Sequence, residues 1–223
     1  RRRHPPGRGP LLHSSGLAQP GQPAPAAAFI GLGSAVGELL QARRPEDPPA
    51  VGWLVDGAAA PGTRTSLVRL EDEAAGREAV AHLRGRGCRS LVWVGHQRRP
   101  SPAARCTGVH AACAECGLPL TLVESGMAFE DGLAAAATLP RGPGLGIIAA
   151  NDWLAAGLHA GLGARRPPLV GFDGLALSQR LGIGSFRVPL AGIAADALAE
   201  LRRLAGEPRP PGRTLGYRLE LRA

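Results

Sequence analysis

The chain contains 223 residues, enough for one large α/β domain or two small ones with a sizeable core. Its content of 44% hydrophobic and 20% charged residues is typical of a globular protein. The net charge of +8 does not by itself indicate nucleic-acid binding, because Arg1, Arg2, Arg3 and Arg8 supply half of it and the other arginines are scattered. The longest apolar runs are shorter than the roughly 20 residues of a membrane span, and no secretory signal pattern is present. We therefore predict a cytoplasmic protein without membrane contact.

Strands and helices are predicted to alternate along most of the chain. Residues 1–28 are rich in proline, glycine and arginine and are predicted to be largely irregular, apart from a short strand at 11–15. After this segment, the predicted strands are 28–31, 51–56, 66–70, 91–94, 120–123, 146–150, 169–172 and 215–221. The predicted helices are 35–42, 74–84, 102–117, 130–139, 153–162 and 190–204. This alternation predicts an α/β fold with parallel sheets and helices on both faces.

Polar side chains follow two of the predicted buried strands at their carboxyl ends. Asn151, the only asparagine of the chain, and Asp152 follow the strand at 146–150, and Asp173 follows the strand at 169–172. Ligands bind at this edge of open parallel sheets. Carboxylate and amide groups there suit polyhydroxylated or amine-bearing ligands. Helix capping by Asn151 or Asp152 is an alternative that does not exclude binding.

An arginine-rich loop precedes the predicted helix at 102–117. It contains Arg98, Arg99 and Ser101, and Arg105 follows in the first turns of the helix. Arginine beside free backbone amides binds a carboxylate, a phosphate or sugar hydroxyls through paired hydrogen bonds. A solvated arginine loop without a ligand is the alternative interpretation.

A glycine-rich turn at 31–37 is close to a dinucleotide-binding fingerprint. Gly31 and Gly33 follow a predicted strand, and Asp56 ends the next one. The third glycine of the fingerprint is expected at Val36, whereas the sequence has Gly37 one place later. An ordinary strand–turn–helix therefore remains the alternative to a nucleotide site.

The sequence offers no catalytic arrangement, metal site or cofactor motif that we would assign. Cys113 and Cys116 are spaced as CxxC, but they lie in a predicted helix and no second pair of ligands exists at similar spacing. There is no Gly-x-Ser-x-Gly motif, no paired histidines and no evident pair of catalytic carboxylates. We predict a protein that is not an enzyme and has no cofactor.

From residue 51 to the end, the sequence resembles the sensor half of the lactose-repressor/galactose-repressor (LacI/GalR) family of bacterial transcription regulators. The resemblance rests on the order and spacing of several segments over about 170 residues. These segments are WLVD at 53–56, the stretch from Asp72 to Leu91, RCTGV at 105–109, NDWLAAG at 151–157, VGFDG at 170–174 and FRVP at 186–189.

The resemblance implies two Rossmann-like subdomains of the periplasmic-binding-protein type I, with the effector held in the cleft between them. Residues 29–72 are expected to form a partial N-terminal subdomain, completed by about 186–223, and residues 73–185 the C-terminal sensor subdomain. The N-terminal subdomain is expected to be truncated. By resemblance, the effector contacts are Asp56, Arg105, Asn151 and Asp173, with Arg99, Ser101 and Met127 as further candidates.

The implied function is effector sensing for a transcription regulator. The effector is expected to be a sugar or a nucleobase-like molecule, and the chain a homodimer. DNA is expected to be bound only through a helix-turn-helix head, which nothing in this sequence resembles. Two alternatives are a solute-binding protein of a transport system and an NAD(P)-dependent oxidoreductase, the latter based on the turn at 31–37 and Asp56.

Overall fold

The computed structural model of the chain describes residues 28–33, 36–53, 57–206, 208 and 210–222. The strand predicted at 11–15, nearly all of the irregular segment 1–28 and the site residue Asp56 lie outside these residues. In chain order the elements are β1 (Phe29–Leu32), α1 (Gly37–Gln41), β2 (Ala50–Trp53), β3 (Thr65–Leu70), α2 (Asp72–Gly85), β4 (Ser90–Val94), α3 (Pro100–Cys116), β5 (Leu120–Val123), α4 (Phe129–Ala135), β6 (Leu145–Ala149), α5 (Asp152–Leu162), β7 (Leu169–Asp173), α6 (Ala176–Arg180), β8 (Gly184–Arg187), α7 (Leu190–Ala205), β9 (Thr214–Tyr217) and β10 (Glu220–Arg222). A turn of 3-10 helix at Gly163–Arg165 follows α5.

The predicted α/β class with parallel sheets is confirmed. β1, β2 and β3 run parallel in one sheet, and β4 to β8 run parallel in another. The largest boundary difference concerns α4, which ends at Ala135 although a helix was predicted to 139. The backbone N–H of Thr138 donates to the carbonyl of Ala135, three residues back, which is the 3-10 pattern. The α-helix therefore ends in a tighter turn ahead of Pro140, since the residue before a proline disfavours helical geometry. The short helix α6 was not predicted.

The chain divides into two compact units. Of the described residues, the first unit comprises 28–69 and 190–217, and the second comprises 70–189 and 218–222. The first unit contains a sheet of order β1-β2-β3-β9. Val36, Leu40, Ala50 and Leu67 form its small core.

A buried carboxylate ties α7 to the first sheet. Glu200 accepts hydrogen bonds from the Ser66 hydroxyl at 2.6 Å, from Arg203 at 2.7 Å and from Arg213 Nε at 3.1 Å. Its side chain is 1% exposed. Hydrogen bonding from Arg203 first, opposed by burial and reinforced by Ser66 and Arg213, lowers the pKa of Glu200 to about 2.

The second unit contains a six-stranded sheet of order β10-β8-β7-β6-β4-β5. All its strands are parallel except β10, which pairs antiparallel with β8. The central strands are buried apolar runs, as expected for a parallel sheet covered by helices. Trp93, Phe172 and Phe186 are fully buried, and the last two stack with ring centroids 5.0 Å apart.

The helices of the second unit pack in close pairs through glycines. A Cβ on Gly76 of α2 would overlap the carbonyl of Arg105, and one on Gly108 of α3 would overlap the carbonyl of Glu73. In α5, Gly157 meets the carbonyl of Phe129 in the same way. The absence of side chains at these points lets the helix backbones approach each other and fixes the position of α3 relative to α2.

The terminal strand differs from the prediction. A single strand was expected at 215–221, completing the first subdomain together with the segment from residue 186. Instead, β9 joins the first sheet and β10 pairs with β8 in the second, with Leu221 opposite Phe186. Leu219, between the two strands, is fully buried in the core of the second unit. Because this side chain is buried there, residues 218–222 belong to the second unit. β8, which was predicted to help complete the first subdomain, also belongs to the second unit.

Candidate functional site

The carboxyl edge of the second sheet gathers most of the predicted site residues. β6 leads to Asn151, and β7 ends at Asp173. Arg105 reaches the same edge from α3, since its guanidinium contacts both the carbonyl of Ala150 and the carboxylate of Asp173. The structure therefore brings together Arg105, Asn151 and Asp173, which are far apart in the sequence.

Arg105 is held rigidly although it carries a charge. Its side chain is 6% exposed. Nε donates to Asp72 Oδ1 at 2.7 Å, and Nη1 donates to the carbonyl oxygen of Ala150 at 2.9 Å. The guanidinium carbon also lies 4.6 Å from the centre of the Phe172 ring, a cation–π contact. A buried arginine fixed on three sides presents its remaining N–H groups in one orientation.

Asp173 is the more accessible member of the cluster. Its side chain is 37% exposed, and Oδ1 lies 3.7 Å from Arg105 Nη1. Desolvation raises the pKa of this carboxyl group to about 6; Arg105 opposes the rise, and Asp152 and Asp72 add to it. Asp173 has a φ of 111°, and it is the one described residue other than glycine with a positive φ. The strand thus ends in a strained residue whose carboxylate remains open to a ligand.

Asn151 caps α5. Its Oδ1 accepts a hydrogen bond from the backbone N–H of Leu154 at 2.8 Å, and its Nδ2 donates to the carbonyl of Met127 at 3.1 Å. The capping alternative is therefore observed. Met127 contributes its backbone to this contact, and its partly buried side chain packs against the core of the second unit.

Asp152 holds the loop that follows Asp173. It is fully buried, and its carboxylate accepts from the Ser185 hydroxyl at 2.7 Å and from the Leu175 N–H at 2.7 Å. The N–H of Gly174 in turn donates to Ser185 Oγ at 3.0 Å. Burial raises the pKa of Asp152, and the hydrogen bonds from Ser185 and Leu175 partly offset the rise.

Three supporting residues were missed as site residues from the sequence. Asp72 orients Arg105, Phe172 lies beneath its guanidinium, and Ser185 joins Asp152 to the backbone after Asp173. Asp72 begins α2, where an acidic residue is expected in any helix. Phe172 and Ser185 lie in buried strands. No local signal separates these roles from ordinary capping and packing.

Arg99 and Ser101 lie at the amino end of α3. Arg99 is the exposed N-cap residue and makes no side-chain capping bond, and Ser101 is half-buried. Pro100 and Pro102 occupy the first and third positions of the helix, so only Ser101 contributes an N–H among those three. Among the described residues, no side-chain hydrogen bond or ion pair joins Arg99 or Ser101 to the guanidinium of Arg105.

The turn at 31–37 is described only in part, because Ser34 and Ala35 lie outside the described residues. A Cβ on Gly31 would overlap the side chain of Val36, so this glycine serves the packing of the turn. Gly33 has a φ of 93°, a conformation that favours glycine. The helix that follows, α1, has five residues.

The cysteines are free thiols in the described structure. Cys88, Cys106 and Cys113 are buried, and Cys116 is partly exposed. Burial first, and then Cys116, raises the pKa of Cys113 to about 11, which keeps it protonated at neutral pH. Within the part of the chain that the structure describes, no group of three or more histidine, cysteine, aspartate or glutamate residues is arranged to hold a metal ion. No described helix is both long and apolar enough to cross a membrane.

The two parallel sheets, with polar residues gathered at the strand ends of the second, place the chain among α/β proteins of the periplasmic-binding-protein-like type. The sequence matches the periplasmic binding protein-like domain over residues 80–223, and the chain belongs to this family. A comparison with curated proteins finds no match.

Solved structures of transcription regulators, two of them described as LacI-family members, share the fold. A regulator from Enterococcus faecium with bound ribose is 19% identical, with a TM-score of 0.74 over 88% of this chain and 78% of that chain. A regulator from Arthrobacter sp. FB24 in complex with lactose is 24% identical, with a TM-score of 0.71 over 89% and 78%. A probable transcription regulator from Thermus thermophilus is 23% identical, with a TM-score of 0.74 over 95% and 82%.

Proposed function

We propose that the chain is the effector-binding part of a LacI-type transcription regulator and that the effector binds against Arg105 and Asp173. The observation that carries the proposal is the rigid placement of Arg105, fixed by Asp72, the carbonyl of Ala150 and the ring of Phe172, beside the open carboxylate of Asp173. Arg105 can donate a hydrogen bond to one hydroxyl group of a ligand, and Asp173 can accept a hydrogen bond from the neighbouring hydroxyl group.

The relatives support a sugar as the effector. Two regulators of the same fold bind ribose and lactose, both of which carry adjacent hydroxyl groups. Asn151 is proposed as a further contact, whereas Asp56, which lies outside the described residues, stays a prediction of the sequence resemblance. Asn151 acts either by direct contact or by fixing the backbone of Met127.

The fold shared with solved LacI-family regulators also supports a regulatory role. We propose that effector binding alters DNA binding by a helix-turn-helix domain outside these 223 residues, and that the regulator is a cytoplasmic homodimer. Sedimentation analysis tests the dimer. Operator binding by the complete regulator, measured with and without effector, tests whether the effector alters DNA binding. A reading frame that begins with a secretory signal, and not a helix-turn-helix, would favour transport.

A binding role without catalysis is part of the proposal. It is supported by Asp72 and Asp152, whose carboxylates already accept hydrogen bonds from Arg105, from the Ser185 hydroxyl and from the Leu175 N–H. Groups occupied in this way are suited to positioning a ligand, whereas a general base needs a free acceptor in reach of a substrate proton.

The test is a thermal-shift screen against sugars, sugar phosphates, purines, amino acids and NAD(P). A ligand at about 100 times its dissociation constant adds roughly 2.7 kcal/mol, which raises Tm by several degrees. We expect a sugar or a nucleobase to raise the Tm of the wild type and of Asp196→Asn, an exposed control in the first unit, and to raise the Tm of Asp173→Asn by less. A shift with NAD(P) alone would favour the oxidoreductase, and no shift with any compound would contradict the proposal.

A further inference from the structure

The positive charge of Arg105, at the carboxyl edge of the second sheet, is already neutralised by carboxylates of the protein. Arg105 pairs with Asp72 at 2.7 Å and lies 3.7 Å from Asp173. Asp152 adds a third carboxylate, which raises the pKa of Asp173. The carboxylates of Asp72 and Asp173 therefore lie beside a single guanidinium group, that of Arg105, and Asp152 adds negative charge close to Asp173.

Three backbone N–H groups near this edge are also occupied. Leu154 donates to Asn151, Leu175 donates to Asp152, and Gly174 donates to the hydroxyl of Ser185. These donors would otherwise suit an anion at a helix end or loop. Each of them is satisfied by an oxygen of the protein itself.

The backbone N–H groups at the amino end of α3 add little to anion binding. Pro100 and Pro102 remove two of the first three N–H donors. Arg98, in the loop before the helix, pairs with Glu124 at 3.3 Å. This end of the helix therefore lacks the set of N–H groups that makes other helix ends bind phosphate.

We propose that the effector is an uncharged polyhydroxyl compound and that the site rejects its phosphorylated and carboxylated derivatives. This inference rests on the proposed function and names the ligand class of the same site. Hydroxyl groups donate to Asp173 and accept from the remaining N–H groups of Arg105. An added phosphate meets carboxylates and filled N–H donors, so it loses hydration without gaining partners.

Calorimetric titration with matched pairs tests the inference. The probes are D-ribose with D-ribose 5-phosphate, D-glucose with D-glucose 6-phosphate and D-gluconate, and inorganic phosphate alone. We expect a neutral sugar to bind and its charged derivative to bind at least about tenfold more weakly, because like charges at a binding site discriminate against a ligand. Inorganic phosphate is expected not to bind.

Two variants test whether the carboxylates cause the preference for neutral over charged sugars. Asp72→Asn leaves Arg105 with an excess positive charge, and we expect it to reduce the preference for the neutral sugar about tenfold. Asp173→Asn should reduce the same ratio if Asp72→Asn does not fold. Asp196→Asn removes a negative charge in the first unit and should leave the ratio unchanged.

The outcomes separate the two proposals. A phosphate ester or gluconate that binds as tightly as its neutral parent, or a ratio that neither variant changes, would overturn the inference and leave the sensor role in place. If no probe binds and the wider screen also finds no ligand, the proposed function fails and the inference fails with it.

Discussion

Arg105 and Asp72 form a buried ion pair, with Nε and Oδ1 2.7 Å apart and both side chains at most 7% exposed. The pair joins α3 to the start of α2 at the strand ends where the proposed effector binds. A buried pair of this kind contributes orientation more reliably than stability, because desolvation opposes the attraction between the charges. Its role in this protein is to aim the guanidinium.

Removal of Asp72 should be costly, since it leaves a buried charge without its partner. We expect Asp72→Ala to lower the free energy of unfolding of the second unit by about 3–5 kcal/mol. Arg77→Ala breaks an exposed pair with Glu115 on the same two helices and should have a much smaller effect, because solvent screens the attraction between the charges. Urea denaturation followed by circular dichroism measures both. Equal effects of the two variants would contradict the structural role of the buried pair.

Asp173 should show opposite effects on stability and on binding. Its pKa of about 6 means that its charged form disfavours folding, so its contribution to stability is present below the ordinary pKa of 3.8 and is lost as the pH rises through 6. At pH 7.5, Asp173→Asn should therefore stabilise the protein by up to about 1 kcal/mol, a value limited by the exposure of the side chain. Asparagine also tolerates positive φ.

The same variant should bind the effector more weakly, because the carboxylate acceptor is gone. For the wild type, we expect affinity to fall as the pH decreases below about 6, where Asp173 takes up a proton. Thermal denaturation and calorimetry at pH 5 and 7.5 test both expectations. An affinity that is independent of pH between these values would remove Asp173 from the site.

Glu200 should make the first unit sensitive to acid. Its pKa is lowered to about 2, so its contribution to stability is present above its ordinary pKa of 4.5 and is lost as the pH falls toward 2. The shift corresponds to roughly 3 kcal/mol at neutral pH. Hydrogen exchange of β3 and α7 should show a difference between the wild type and Glu200→Gln at pH 6 that shrinks toward pH 2–3. A constant difference would mean that the carboxylate charge does not stabilise the unit.

Two glycines of α2 provide a matched pair for the close packing of the helices. A Cβ at Gly76 overlaps the carbonyl of Arg105, whereas a Cβ at Gly85 meets no atom within 4 Å. We expect Gly76→Ala to destabilise the protein by about 1–3 kcal/mol, because the helices must separate. Gly85→Ala should stabilise it by roughly 0.5–1 kcal/mol through helix propensity. Chemical denaturation distinguishes them, and similar values would contradict the tight contact of α2 with α3.

The sequence by itself determined the α/β class and most of the elements, because buried parallel strands and amphipathic helices leave a local pattern of apolar residues. It also indicated Asn151 and Asp173, since the end of a buried strand is recognisable locally. The tertiary structure alone decided that Asp72, Phe172 and Ser185 support the site. Their partners, Arg105 and Asp152, lie at least 33 residues away in all three contacts, and sequence periodicity does not encode such pairings. It also decided the division of the C-terminal strand, because burial of Leu219 in the second core outweighs the continuity of a single strand.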